Sequence, residues 1–227
     1  ITNFEDSPLA TEAEFHLFCG AGEEKSVAAT KTFMAQIYLL AQLVAAWSRD
    51  ESFKNELAGV PSLLSKTLES AEQIKNIVRI YRFMNECFVL ARGTNYAIAL
   101  EASLKIQETC YVRARGYATS DFHHGPFAMV GENMPVIVYA PKGESLKDNR
   151  EMLEKLRNAG ADILVVSNDP ETLAMGDRSI EIADNVSDFV SPFINAMVAQ
   201  IFACNLSALK GLNPDAPRGL SKVTYTR

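Results

Sequence analysis

Three short apolar runs and one short alternating run, set among three stretches of helical period, constrain this chain more than any other feature. Phe88-Val89-Leu90-Ala91, Pro135 to Ala140, Ile163 to Ser167 and Ile180 to Ala183 are too short for core helices and rich enough in β-branched and aromatic residues to be buried strands. Helical spacing occupies about Asn95 to Glu108, Ser145 to Asn158 and Pro192 to Leu209. Arg113 to Gly125 reads as a loop between the first helix and the second strand. Strands that alternate with helices cannot be joined by tight hairpins, so the sheet is parallel and the helices cover both its faces. The fold class is therefore α/β, a parallel sheet flanked by helices.

A fragment of the same plan stands at the start of the chain. Ile1-Thr2-Asn3, the turn residues Asp6-Ser7-Pro8, Leu9-Ala10, the alternating run Phe15 to Phe18 and a helical segment containing Ala35-Gln36-Ile37 match Val165 to Pro170, Leu173-Ala174, Ile180 to Ala183 and Ala199-Gln200-Ile201. The offset is 164 for both the Leu-Ala and the Ala-Gln-Ile pairs. The expectation is a duplicated α/β unit whose first copy is incomplete in this chain. Residues 1–60 would hold the end of the first unit and a charged connector from Ser48 to Pro61. Residues 61–212 would hold the second unit, entered by a helix from Leu63 to Met84, and 213–227 a tail with prolines at 214 and 217.

Composition removes several function classes. The net charge is −6 and no Lys/Arg block is present, so neither nucleic acid nor an anionic membrane is an expected partner. The apolar stretch around Ile37 to Trp47 is too short and too amphipathic to span a bilayer. Cys19, Cys87, Cys110 and Cys204 are widely separated, which fits reduced thiols and a cytoplasmic location. His16, His123 and His124 form no metal-ligand spacing, so neither a metal nor another cofactor is expected.

Four places could carry chemistry. Gly20 to Lys31 runs from a strand end through a glycine turn toward a helix, and Glu23 and Glu24 at that helix start would repel a phosphate and favour sugar hydroxyls or an amine. Glu101, Lys105 and Glu108 fall at i, i+4 and i+7 among small and apolar neighbours. A charged stripe on a buried helix needs partners or a cleft, where a carboxylate and an ammonium can move protons. His123-His124-Gly125-Pro126 ends a loop in which Gly-Pro would fix an imidazole. The tail can deliver Lys222, and a lysine can form an imine with a carbonyl substrate if a desolvated cleft or a nearby cation such as Lys105 eases its deprotonation.

Glu24 with Val27 to Lys31, the run from Arg92-Gly93 through Leu100 to Glu108, His124-Gly125-Pro126, and Pro217-Arg218 to Lys222 together resemble the sugar isomerase (SIS) family. The resemblance implies tandem SIS domains, the first incomplete here, and a homodimer with shared active sites acting on a sugar phosphate. It implies that Glu108 shuttles a proton between C1 and C2, that His124 opens the ring, often from the neighbouring subunit, and that Lys222 attacks the carbonyl. Val27 and Ser221 would touch the sugar through their backbones, with Glu101, Lys105 and Glu24 completing the site. The family's Ser/Thr-rich phosphate loop has no counterpart in this chain. Gln107 and the tail wording through Val223, Thr224 and Arg227 look more like the amino-sugar-phosphate deaminases and ketose/aldose isomerases than the glutamine-dependent synthases. The expected activity is thus that of a phosphosugar isomerase or deaminase, with the isomerising half of a synthase and a non-catalytic sugar-phosphate sensor as alternatives.

Overall fold

The computed structural model describes residues 1–222. In chain order it contains α1 (Pro8–Glu12), α2 (Lys31–Ser48), α3 (Glu51–Glu69), α4 (Ala71–Val78), β1 (Glu86–Ala91), α5 (Tyr96–Cys110), β2 (Arg113–Ala118), α6 (Thr119–Phe122), β3 (Pro135–Tyr139), α7 (Leu146–Asn158), β4 (Asp162–Ser167), α8 (Pro170–Leu173), β5 (Arg178–Glu181) and α9 (Ser191–Leu209). Every strand pair is parallel and the order is β2-β1-β3-β4-β5. The chain thus leaves β1 toward one edge, then crosses to build the rest on the other side.

Alternate strand residues feed two cores. Val89, Ala91, Ile137, Tyr139, Leu164 and Val166 face a layer that includes α5 and α9. Phe88, Leu90, Val136, Val138, Ile163 and Val165 face the layer of α6 and α7. α9 is long and apolar enough to cross a membrane, a property the sequence reading did not assign to it, but here it is a core helix with twelve of its nineteen residues buried.

Several local expectations need correction. The connector from Ser48 to Pro61 is mostly helix: Asp50 caps α3 by accepting from the Phe53 N–H, and Pro61 lies inside that helix. The single helix expected from Leu63 to Met84 is instead the end of α3, then α4, then a 3-10 turn from Arg79 to Phe83. The supposed loop after α5 contains β2, an edge strand whose charged Arg113 and Arg115 hid it from a hydrophobic scan. The Phe15 to Phe18 run is not a strand; it contributes one parallel bridge, Thr2 to Phe18. The last strand is displaced to Arg178–Glu181.

The two stretches related by the repeat do share a plan. α1 and α8 each begin with proline after a capping side chain, Ser7 and Asp169, and each is followed by parallel pairing and a long helix.

Candidate active site

α5 is held at both ends. Gly116 on β2 lies so close that a Cβ there would meet Ala99 O at 2.8 Å and Ser103 Oγ at 2.9 Å, so glycine lets helix and strand touch. At the far end the Ser207 hydroxyl of α9 donates to Thr109 O at 2.8 Å. This fixed helix carries the charged stripe into the interior. Lys105, its side chain only 6% exposed, reaches Glu108 Oε2 at 2.8 Å and Glu101 Oε1 at 3.7 Å. Burial pushes the Glu101 carboxyl up; Lys105 draws it back, Glu108 and Glu24 add to the rise, and the result is about 7. The stripe is partnered throughout and buried at Glu101 and Lys105, while Glu108 at its end is partly exposed.

The turn before α2 differs from the reading of its sequence. The helix begins at Lys31, not at Glu23, so neither glutamate opens it. Glu24 is buried, with its side chain 6% exposed, and Oε1 accepts from the N–H groups of Thr30 and Lys31 at 2.8 and 2.7 Å, doing the work of a cap from six residues upstream. Burial raises this carboxyl, but those N–H groups, the Thr32 hydroxyl and the Lys222 ammonium more than reverse the effect and hold it below the ordinary carboxylate range. Glu23 contributes a backbone carbonyl to Lys31 Nζ.

The tail returns to the same place. Asp215 O accepts from the Val27 N–H at 3.1 Å, so any sugar contact by Val27 falls to its carbonyl. Lys222 Nζ donates to Ser26 O at 2.7 Å and lies 3.9 Å from Glu24 Oε2. The cation expected beside Lys222 is therefore replaced by an anion. Ser221 precedes it in the same segment, while Val223, Thr224 and Arg227 lie outside the described residues. A cavity of about 240 Å³ is lined by Ser26, Thr30, Lys105, Gln200, Cys204 and Asp215 among others, so the turn, α5, α9 and the tail converge on one space. Gln200, Cys204 and Asp215 escaped the sequence reading because nothing local distinguishes them from core or tail residues. Only the share of Gln200 in the repeated Ala-Gln-Ile triplet could have drawn attention to it.

His124 is not brought to this space. α5 leaves the C-terminal end of β1 and runs back about 22 Å, so Glu108 lies toward the N-terminal ends of the strands. His124 follows α6, beyond the C-terminal end of β2. Its backbone N–H donates to Asp121 O and its side chain is exposed, while His123 meets Lys155 at 3.3 Å. Burial, then Lys155 and His124, hold the His123 imidazole below its usual value. Among the described residues no group of His, Cys, Asp or Glu side chains is placed to hold a metal.

The chain thus combines an all-parallel α/β sheet with a carboxylate–ammonium stripe on α5 and a tail that returns to the turn before α2. The SIS domain model matches residues 82–210, more than half of the chain, and the chain belongs to the SIS domain family. It is 37% identical over 227 residues to the glutamine–fructose-6-phosphate aminotransferase (isomerizing) of Aquifex aeolicus, and 32% identical over 232 residues to that of Escherichia coli K12. Each match takes in 98% of this chain but 38% of the relative, so the chain spans well under half of these proteins. Among solved structures, the C-terminal domain of glucosamine-fructose-6-phosphate aminotransferase from Francisella tularensis superposes with a TM-score of 0.87 at 26% identity, covering 95% of this chain and 64% of that one. Glucosamine-6-phosphate deaminase from Thermotoga maritima shares the fold, with a TM-score of 0.73 at 22% identity over 97% of this chain and 64% of that one.

Proposed function

We propose that this chain supplies the isomerising chemistry of an enzyme acting on a ketose or amino-sugar 6-phosphate, with Glu108, His124 and Lys222 as its reacting groups. The observation that carries the reading is the ladder Glu101–Lys105–Glu108, buried at its first two members, with Lys105 lining the cavity to which the tail also returns. A domain that only held a sugar would have no need to keep such groups out of water, where they cost stability. On this reading Lys222 forms a bond from its nitrogen to the substrate carbonyl carbon, and the carbonyl oxygen leaves as water with the two amine protons. Glu108 then moves a proton between C1 and C2, and Lys105, at 2.8 Å, stabilises the carboxylate whenever it is ionised.

His124 stands at the opposite end of the strands, so its role in ring opening requires a second copy, and we read the working unit as a cytoplasmic homodimer with shared sites. Residues 1–60 would close a first SIS unit, 61–212 form the second, and 213–227 serve as the active-site tail. Relatives at 32–37% identity that are glutamine–fructose-6-phosphate aminotransferases favour the isomerising half of a glutamine-dependent enzyme over the deaminase to which the tail wording pointed. In the full-length protein, Glu108→Gln should cut solvent-deuterium incorporation at the carbon beside the carbonyl by about a hundredfold or more, with sugar-phosphate affinity within about tenfold. Unchanged incorporation would assign the proton transfer to another group, and no incorporation even in the wild type would reduce the domain to a sugar-phosphate sensor.

A further inference from the structure

We infer that Tyr111 is a positioning residue: with Arg218 it forms a clamp that sets the course of the tail and thereby the place of Lys222. Tyr111 closes α5 three residues after Glu108, with its N–H donating to Gln107 O, and it does so in the left-handed region at φ 56°. That position is ordinarily given to glycine or asparagine, because a larger side chain is strained there. Here the side chain is used twice. Its hydroxyl oxygen accepts from the Arg218 N–H at 2.7 Å, and the Arg218 guanidinium carbon lies 4.3 Å from its ring centroid, within cation–π range.

The clamp acts on the lysine through chain length. Asp215 is fixed by its carbonyl to Val27, and Arg218 is fixed three residues later by Tyr111. Four further residues, passing through Gly219 at φ 73°, lead to Lys222 at Ser26 O. Four residues span at most about 14 Å, so holding Arg218 confines the Lys222 backbone to a small volume next to the turn that carries Glu24. Tyr111 also belongs to the helix that bears Glu108. The clamp therefore ties the imine-forming group and the proton-moving group of the proposed mechanism to one rigid element, and its value lies in orientation rather than in binding. No sequence signal marks it, since Tyr111 and Arg218 are 107 positions apart.

This inference rests on the reading of Lys222 given above, and the experiment separates the two. In the full-length protein, amide hydrogen exchange over residues 216–222 is followed without substrate, and borohydride trapping on Lys222 is followed with fructose 6-phosphate. Arg218→Ala, an exposed position whose change leaves the core intact, removes the guanidinium from the ring but keeps the backbone N–H, and should speed tail exchange about threefold. It should slow trapping by a similar factor while the half-saturating sugar phosphate concentration stays within about threefold. Tyr111→Phe keeps the ring and loses the hydroxyl that accepts from the Arg218 N–H, and should have an effect at least as large as that of Arg218→Ala. A tail whose exchange is unchanged in both variants overturns the clamp, and so does faster exchange with unaltered trapping, because the tail would then be ordered without its lysine being placed. Absence of trapping in the wild type would remove Lys222 as a covalent group and leave the exchange measurement to judge the clamp.

Discussion

α2 and α9 share the triplet Ala-Gln-Ile and run for eighteen and nineteen residues, yet α9 buries twelve of them and α2 buries Ala45 alone. The difference is in what lies across from each. α9 is pressed between the sheet, α5 and the α3–α4 layer, whereas α2 rests one face, Met34, Ile37, Tyr38 and Ala41, on that same core. Its opposite stripe, Leu40, Leu43, Val44 and Trp47, is exposed among the described residues. Helical period identifies the element, and the neighbours decide its depth. The contrast can be broken by truncation. Ile194→Ala in α9, at a fully buried position, should cost about 2–5 kcal/mol in urea unfolding, through lost transfer energy and the cavity left behind. A cost under about 1 kcal/mol would mean that α9 is not the packed centre of the fold.

Charged pairs teach the same lesson. Glu72 and Lys75, three apart on α4, are largely in water, while Lys105 and Glu108 at the same spacing are drawn into the interior together with Glu101. Exposed pairs of this kind contribute about 0–1 kcal/mol. Glu101 behaves differently because its pKa in the folded chain, about 7, lies above the free value of 4.5. Between those two pH values the folded state holds a proton that the unfolded state has lost. The resulting stability is fully present below about pH 4.5 and is lost as pH rises through 7, an effect of at most about 3 kcal/mol. Glu101→Gln does not titrate. Its stability relative to wild type should therefore improve by about 1–3 kcal/mol between pH 4.5 and pH 8, as read from paired denaturation curves. A difference that is flat with pH would mean that Glu101 is ionised throughout and its charge is fully met by Lys105.

Much of this was legible in the sequence. β1, β3 and β4 face both cores and are continuous apolar runs, so they were visible, the alternating segment at β5 was read two residues late, and the stripe on α5 showed because charges stand out among small residues. β2 was hidden by its edge position, where arginines meet solvent. α3 was hidden because its charged outer face and internal proline resemble a connector. Of the candidate site, Glu24, Val27, Glu101, Lys105 and Lys222 were indicated and are drawn to one region. The contacts of Asp215, Arg218 and Gln200 join positions far apart in the chain, and no local pattern encodes them.

The smallest effect sharpens the comparison of the two helices. Trp47 ends the exposed stripe of α2 with 84% of its surface open, so replacing it removes little packing within the chain. A tryptophan in water contributes no transfer energy on folding, and glutamine is as good a helix former, so Trp47→Gln in the 227-residue chain should change unfolding free energy by less than about 0.5 kcal/mol. The unfolding midpoint of the same variant should also be independent of protein concentration. If the chain associates through this stripe, the wild-type midpoint will rise with concentration and the variant's will not, because only the associated form buries the indole. That outcome would convert the exposed face of α2 from a solvent-facing surface into an interface, and the gap in burial between α2 and α9 would then measure a partner's absence rather than a property of the helices themselves.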